Sequence, residues 1–100
     1  MEDFIIKTKS GFGVITGYRV NKRFFCHKLS KGNWIISDYN SGLKVADSIQ
    51  KCEDCWKWVR NEDNINNVNE KIEKIKDTYD EVCKELAEYR EKYYGSNDSL

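Results

Sequence analysis

Proline is missing from all 100 residues, histidine and methionine occur once each, and neither charge sign is in excess, with 17 bases against 17 acids. Without proline, nothing in the covalent chain forces a break inside a helix. With His27 as the sole imidazole and no serine–acid constellation around it, triad chemistry has no footing. Glycine is sparse too. Gly11, Gly13 and Gly17 only loosely resemble a phosphate loop, and no helix follows them to receive a phosphate. No apolar run approaches the roughly 18–20 residues of a membrane span, and the N-terminus lacks the apolar segment of a signal peptide. The expectation is a cytoplasmic protein that is not an enzyme, needs no cofactor and touches no membrane. Its four cysteines, Cys26, Cys52, Cys55 and Cys83, are then reduced thiols.

The charge that is present is unevenly placed. Residues 1–61 hold eleven Lys and Arg against six Asp and Glu, net +5, while residues 62–100 hold six against eleven, net −5. Such a division can steer a partner or favour head-to-tail self-association.

Residues 4–46 read as strands. Phe12, Val14, Tyr18 and Val20 alternate with Gly13, Ile15, Gly17 and Arg19, the period of two that an extended chain needs to face a core on one side. Turns are expected at Asn21-Lys22, Lys31-Gly32-Asn33 and Asn40-Ser41-Gly42, since Gly and Asn tolerate the positive φ of tight hairpins. Strands so closely spaced pair as an antiparallel meander of four or five. From Ser48 the period changes. Ile49, Cys52, Cys55, Trp56 and Val59 share one arc of a helix over 48–61, with Asp47 or Ser48 as its N-cap, able to cover the sheet. The asparagines from Asn61 to Asn69 predict a bend.

Beyond the bend, Ile65, Val68, Ile72, Ile75, Tyr79, Val82, Leu86, Tyr89 and Tyr93 recur at spacings of three and four. This is a coiled-coil-like seam on one long C-terminal helix, ended by Gly95 and followed by a frayed tail over 96–100. The fold expected is therefore α+β: a basic sheet domain with a packing helix over 1–61 and an acidic heptad helix over 62–95. A seam this narrow suits another helix, so Ile65 through Tyr89 are the expected partner or self-association surface, with a homodimer through the C-terminal helix. Tyrosine in the seam, and Lys71 facing Lys76 in a parallel pair, leave antiparallel or heterotypic pairing open, while Glu85 would meet Arg90 favourably. Trp58, off the centre of its helix's apolar arc, is a further candidate contact.

Two other surfaces compete. Arg19, Lys22, Arg23, Lys28 and Lys31 interleave with Tyr18, Phe24, Phe25 and Trp34, a pattern that lets bases stack while cations hold phosphates or an acidic partner. Cys26, His27, Cys52 and Cys55 form the weaker alternative of a zinc-stabilised module. Two thiols three apart on a helix also read as plain core residues, and the expectation is no metal.

The run Trp34-Ile35-Ile36-Ser37-Asp38-Tyr39-Asn40-Ser41-Gly42-Leu43-Lys44-Val45-Ala46 resembles a pattern of small phage and mobile-element proteins. In these a strand ending in Trp-x-x-Ser/Thr-Asp turns at Ser/Thr-Gly and returns as a short apolar strand before a helix. The format is similar to that of anti-CRISPR proteins. The resemblance implies a phage-encoded inhibitor that binds and blocks a host protein, such as a nucleic-acid-defence complex, and it assigns no binding residues.

Overall fold

The computed structural model describes residues 1–29 and 31–98, with side chains as far as residue 93. Five strands, β1 (Glu2–Thr8), β2 (Gly11–Arg19), β3 (Phe24–Lys28), β4 (Trp34–Asp38) and β5 (Lys44–Ile49), form one sheet in chain order. Every neighbouring pair is antiparallel, from Phe4 opposite Ile15 in the first hairpin to Cys26 opposite Ile36 in the third. Three helices follow: α1 (Cys52–Arg60), α2 (Glu62–Lys74) and α3 (Lys76–Asp98). The α+β class and the meander agree with the sequence.

The centre of the sheet is buried on both faces, since Phe24, Phe25, Cys26 and His27 are all buried in succession. Alternation sends Phe24 and Cys26 to the helix side. There they meet Ile36, Cys55 and Val68 in one core, with Trp34, Ile49, Trp56, Val59, Ile65 and Ile72 packed around it. Phe25 and His27 point the other way, where the Phe4 ring stacks on Phe25 at 4.3 Å. Residues from the basic sheet segment and from the acidic helical segment thus share a core.

The packing helix begins later than the sequence suggests. Ser48 and Ile49 still belong to β5, because Ile49 pairs with Trp34, and Ser48 has φ 60°, outside helical geometry. Helix α1 therefore starts at Cys52, with Lys51 as an N-cap that makes no side-chain bond, rather than at Asp47 or Ser48. Glu53 and Asp54 in its first turn and Lys57 and Arg60 in its last complement the helix dipole. The bend falls among the asparagines as expected. Asn61 is extended, ends α1 and caps α2, its side chain accepting from the N–H groups of Asp63 and Asn64.

The single long helix is in fact two. At Ile75 the backbone leaves helical geometry, with φ −116° and ψ 31°, and its N–H is shared between the Lys71 and Ile72 carbonyls. Helix α3 then departs so that Tyr79 reaches Asp38 of β4 and Tyr89 lies 5.4 Å from Phe12 of β2. Val82 and Leu86, on the same face between those two contacts, are buried. The helix also continues past Gly95 to Asp98, since a glycine inside a helix costs only about 1 kcal/mol. Residues 99–100 of the expected tail lie outside the described residues.

Two glycines permit close approaches on which this packing rests. A methyl group on Gly17 would collide with the Cys26 carbonyl, and one on Gly42, which has φ +73°, would sit 2.8 Å from the Lys7 nitrogen. Gly42 thereby lets the β4–β5 turn dock on β1, where its carbonyl accepts from the Lys7 N–H at 2.9 Å. Gly17→Ala is expected to lower unfolding stability by about 1–3 kcal/mol in a urea titration, the usual cost of overpacking. Gly13→Ala, whose added carbon meets only Thr8 Cγ2 at 3.5 Å, should stay within about 0.5 kcal/mol of the parent. Equal losses at both positions would show that the β2–β3 approach is not the constraint.

Candidate binding cleft beside Asp38

β4 ends in Asp38, whose side chain is 1% exposed. A buried carboxylate has to be compensated by donors or by charge, and here the local chain supplies most of them. Oδ2 accepts from the Ser41 N–H at 3.0 Å and the Ser41 hydroxyl at 2.7 Å, which folds residues 38–41 into a tight turn. The Ser41 oxygen in turn accepts from the Leu43 N–H, and the Gly42 N–H donates to the Asp38 carbonyl. From 41 residues away, the Tyr79 hydroxyl donates to the same Oδ2 at 2.8 Å. Among the described residues Oδ1 has no hydrogen-bond donor. Arg23 Nε stands 3.8 Å from it, too far for a hydrogen bond but near enough for attraction between charges. Burial first, and then the Asp38 carboxylate, push the Tyr79 phenol far above its ordinary value of 10.0. It remains a donor throughout the neutral range.

Beside this cluster lies a cleft of about 230 Å³ between the β4–β5 turn, α2 and the start of α3. Leu43, Val45, Val68 and Ile72 give it apolar walls, Asp38 and Tyr79 line it, and Lys44 and Lys71 complete the lining. Ile75, placed at the helix break, also lines it and is 46% exposed. An apolar concavity with a few fixed polar groups is the usual form of a site that accepts an apolar group.

The sequence-predicted residues are distributed unevenly around this site. Of the heptad stripe, Val68, Ile72, Ile75 and Tyr79 line the cleft. Ile65 packs on the core, Val82 and Leu86 are buried, and Tyr89 covers Phe12. The face expected to meet a second helix is thus largely spent on the chain's own sheet. A broad stripe on a sheet and a narrow seam on a helix use the same spacing, which is why periodicity alone did not separate them. Arg90 is engaged within its own chain: its Nη2 donates to the Tyr39 carbonyl at 3.1 Å and its guanidinium lies 4.3 Å from the Tyr39 ring centre. Trp58 is half-buried against the core, and its carbonyl accepts from the Asn64 side chain at the bend.

The five basic residues do not form one surface. Arg19 pairs with Glu2 and lies over Phe4 and Tyr39, while Arg23 lies over Phe24 and faces Asp38. Lys22 is exposed in the β2–β3 turn, and Lys28 and Lys31 are exposed at the β3–β4 hairpin, the opposite end of β3. The four residues of the zinc alternative are not brought together either. Cys26 faces α1 and its thiols, while its strand neighbour His27 turns to the other face beside Phe25. Among the described residues no group of three His, Cys, Asp or Glu is arranged to hold a metal ion. No described helix is long and apolar enough to cross a membrane.

Sequence reasoning missed Asp38, Ser41 and Arg90 as site-building residues. The Asp-x-x-Ser-Gly spacing was the one available signal, being that of a turn closed by its own side chains. Comparison with protein-family models, with curated proteins and with solved structures finds no match to this chain.

Tyr79→Phe leaves a buried carboxylate short of one donor and is expected to cost about 1–3 kcal/mol. Because the folded-state value of Tyr79 is raised, that advantage is complete below pH 10, where the unfolded phenol is also protonated. It should shrink as pH rises above 10. Urea titrations of both proteins across the alkaline range check this, and a pH-independent difference would assign Tyr79 to packing alone. On the acid side, burial depresses His27 below its ordinary 6.5. The unfolded chain then takes up the proton first, so stability is full above pH 6.5 and falls as pH drops below it. His27→Gln should remove this part of the slope between pH 6.5 and pH 5, whatever its effect on the plateau.

Proposed function

We propose that this chain is a non-enzymatic protein-binding module, an inhibitor of the anti-CRISPR kind that blocks a host protein or complex by contact. The observation that carries the reading is the cleft beside Asp38, an apolar pocket with the exposed Ile75 in its lining. Half of its lining comes from the run that resembles phage inhibitors, since Asp38, Ser41, Leu43, Lys44 and Val45 all line it. The turn chemistry of that run thus builds the surface on which a partner sits. The polar groups there are held by one another: three donors fix Asp38 Oδ2, and Tyr79 is kept protonated. The cleft accordingly presents fixed shape more than reactivity. An aliphatic or aromatic side chain of the partner, flanked by acidic residues opposite Lys44 and Lys71, matches its chemistry.

A second reading rests on a separate place. Exposed Tyr18 lies 6.1 Å from Trp34, and Trp34 pairs across the sheet with Lys28. Two aromatics beside a lysine suit a stacked base, which makes a nucleic-acid-associated accessory protein the alternative.

Ile75→Asp should leave the melting temperature nearly unchanged, because an exposed position usually moves stability by no more than about 0.5 kcal/mol. The variant should bind the protein partner at least about tenfold more weakly, a loss of about 1.4 kcal/mol. Affinity capture from the native host with parent and variant as paired baits reads this out, followed by titration of the protein lost from the variant. Retention of the same proteins by both would remove the cleft from the interface. Concentration-dependent sedimentation of the parent, abolished in the variant, would make a second copy the occupant. Binding to an oligonucleotide that weakens steeply with salt and is lost in Tyr18→Ala would favour the alternative.

A further inference from the structure

Three of the four cysteines converge at one point of the core. Cys26 faces α1 from the middle of β3, Cys52 opens α1, and Cys55 stands one turn later on the same face. All three belong to one packed cluster. Burial and the neighbouring Cys55 and Cys52 thiols push the Cys26 thiol up, and burial likewise raises Cys55, which also feels Cys52. Cys26 is the one thiol of the three that the sheet contributes. It is also fully buried, as is Cys55. Cys52 is half-buried and lines an open concave surface together with Trp56, Lys57 and Arg60. Of these three thiols a small polar oxidant arriving from solvent meets Cys52 first, and the sheet thiol packed in the same cluster is Cys26.

We propose that Cys52 and Cys26 form an oxidation site, in which a hydroperoxide converts the pair to a disulfide that fastens the first turn of α1 to the centre of β3. The Cys52 sulfur attacks the terminal peroxide oxygen, an S–O bond forms, the O–O bond breaks, and the alkoxide leaves with the Cys52 proton as an alcohol (water, from hydrogen peroxide). The peroxide takes two electrons from sulfur, and Cys52 becomes a sulfenic acid. The Cys26 sulfur then attacks the Cys52 sulfur, the S–S bond forms and the S–O bond breaks. Hydroxide departs with the Cys26 proton as water. Two thiols and one hydroperoxide thus give one disulfide, one alcohol and one water. Burial holds the Cys26 thiol up, which slows the second step. The bridge leaves the Asp38 cleft untouched, and the site stands independently of what that cleft binds.

The full chain, fully reduced, is treated with a small excess of hydrogen peroxide, denatured in the presence of an alkylating agent and mapped without reduction. The expected product is lighter by two hydrogens, carries a Cys26–Cys52 linked peptide, and keeps Cys55 and Cys83 as alkylated thiols. Dithiothreitol restores all four thiols, and the oxidised chain melts at a higher temperature than the reduced one, because a bridge between distant residues restricts the unfolded chain. Cys52→Ser, a change at a half-buried position, should keep its three thiols under the same treatment, while Cys83→Ser should still form the bridge. A Cys52–Cys55 linkage, a Cys52 sulfinic acid without any bridge, first reaction at Cys83, or no reaction at all would each overturn the proposal.

Discussion

A carboxylate cut off from water is tolerated only where donors and charge replace what water supplied. Asp38 meets that condition with partners drawn from three parts of the chain. Ser41 closes the β4–β5 turn on it, Arg23 approaches from the β2–β3 turn, and Tyr79 reaches it from α3. The turn so fixed places Gly42 against β1 and Tyr39 under Arg90. The first strand, the last helix and the central hairpin are therefore positioned by contacts that start at one side chain. Removing a partner would expose the cost of the charge, whereas intact the cluster sets a direction that apolar packing alone does not specify.

The break at Ile75 belongs to the same constraint. A continuous helix from Glu62 would carry its stripe straight on, while α3 has to bring Tyr79 to Asp38 and Tyr89 to Phe12. The change of direction leaves Ile75 outside the core and opens the cleft between the two helices and the turn. The proposed binding surface is thus a by-product of how the last helix is anchored. Its fixed polar groups and apolar walls suit recognition by shape.

The opposite end of the core obeys a different rule. Around Cys26 the packing is apolar and includes the thiols, with burial holding Cys26 and Cys55 in their protonated forms. There the sulfurs act as small hydrophobes while they stay reduced. What distinguishes them is adjacency between a strand and a helix 26 residues further on, which no local spacing shows.

Period-two alternation over 12–20 and the turns near Gly32 and Gly42 made the meander readable from sequence, because strand faces and tight turns are local properties of the backbone. The asparagine bend was readable for the same reason, since a side chain two or three residues from a free N–H caps it whatever the surroundings. The amphipathic stripe from Ile65 to Tyr89 was equally plain as a stripe, but spacing does not say what covers it. Whether Val82 and Leu86 meet a second helix or this sheet depends on where the sheet's own apolar face is left open, a tertiary fact. The same holds for Ile49, which fits the helix arc in sequence yet joins β5 opposite Trp34. The sequence by itself determined the elements, their order and the division of charge. The tertiary structure decided the partner of each apolar face, the break at Ile75 and the role of Asp38, because contacts between residues far apart in the chain outweigh the weak local preferences that a sequence pattern records.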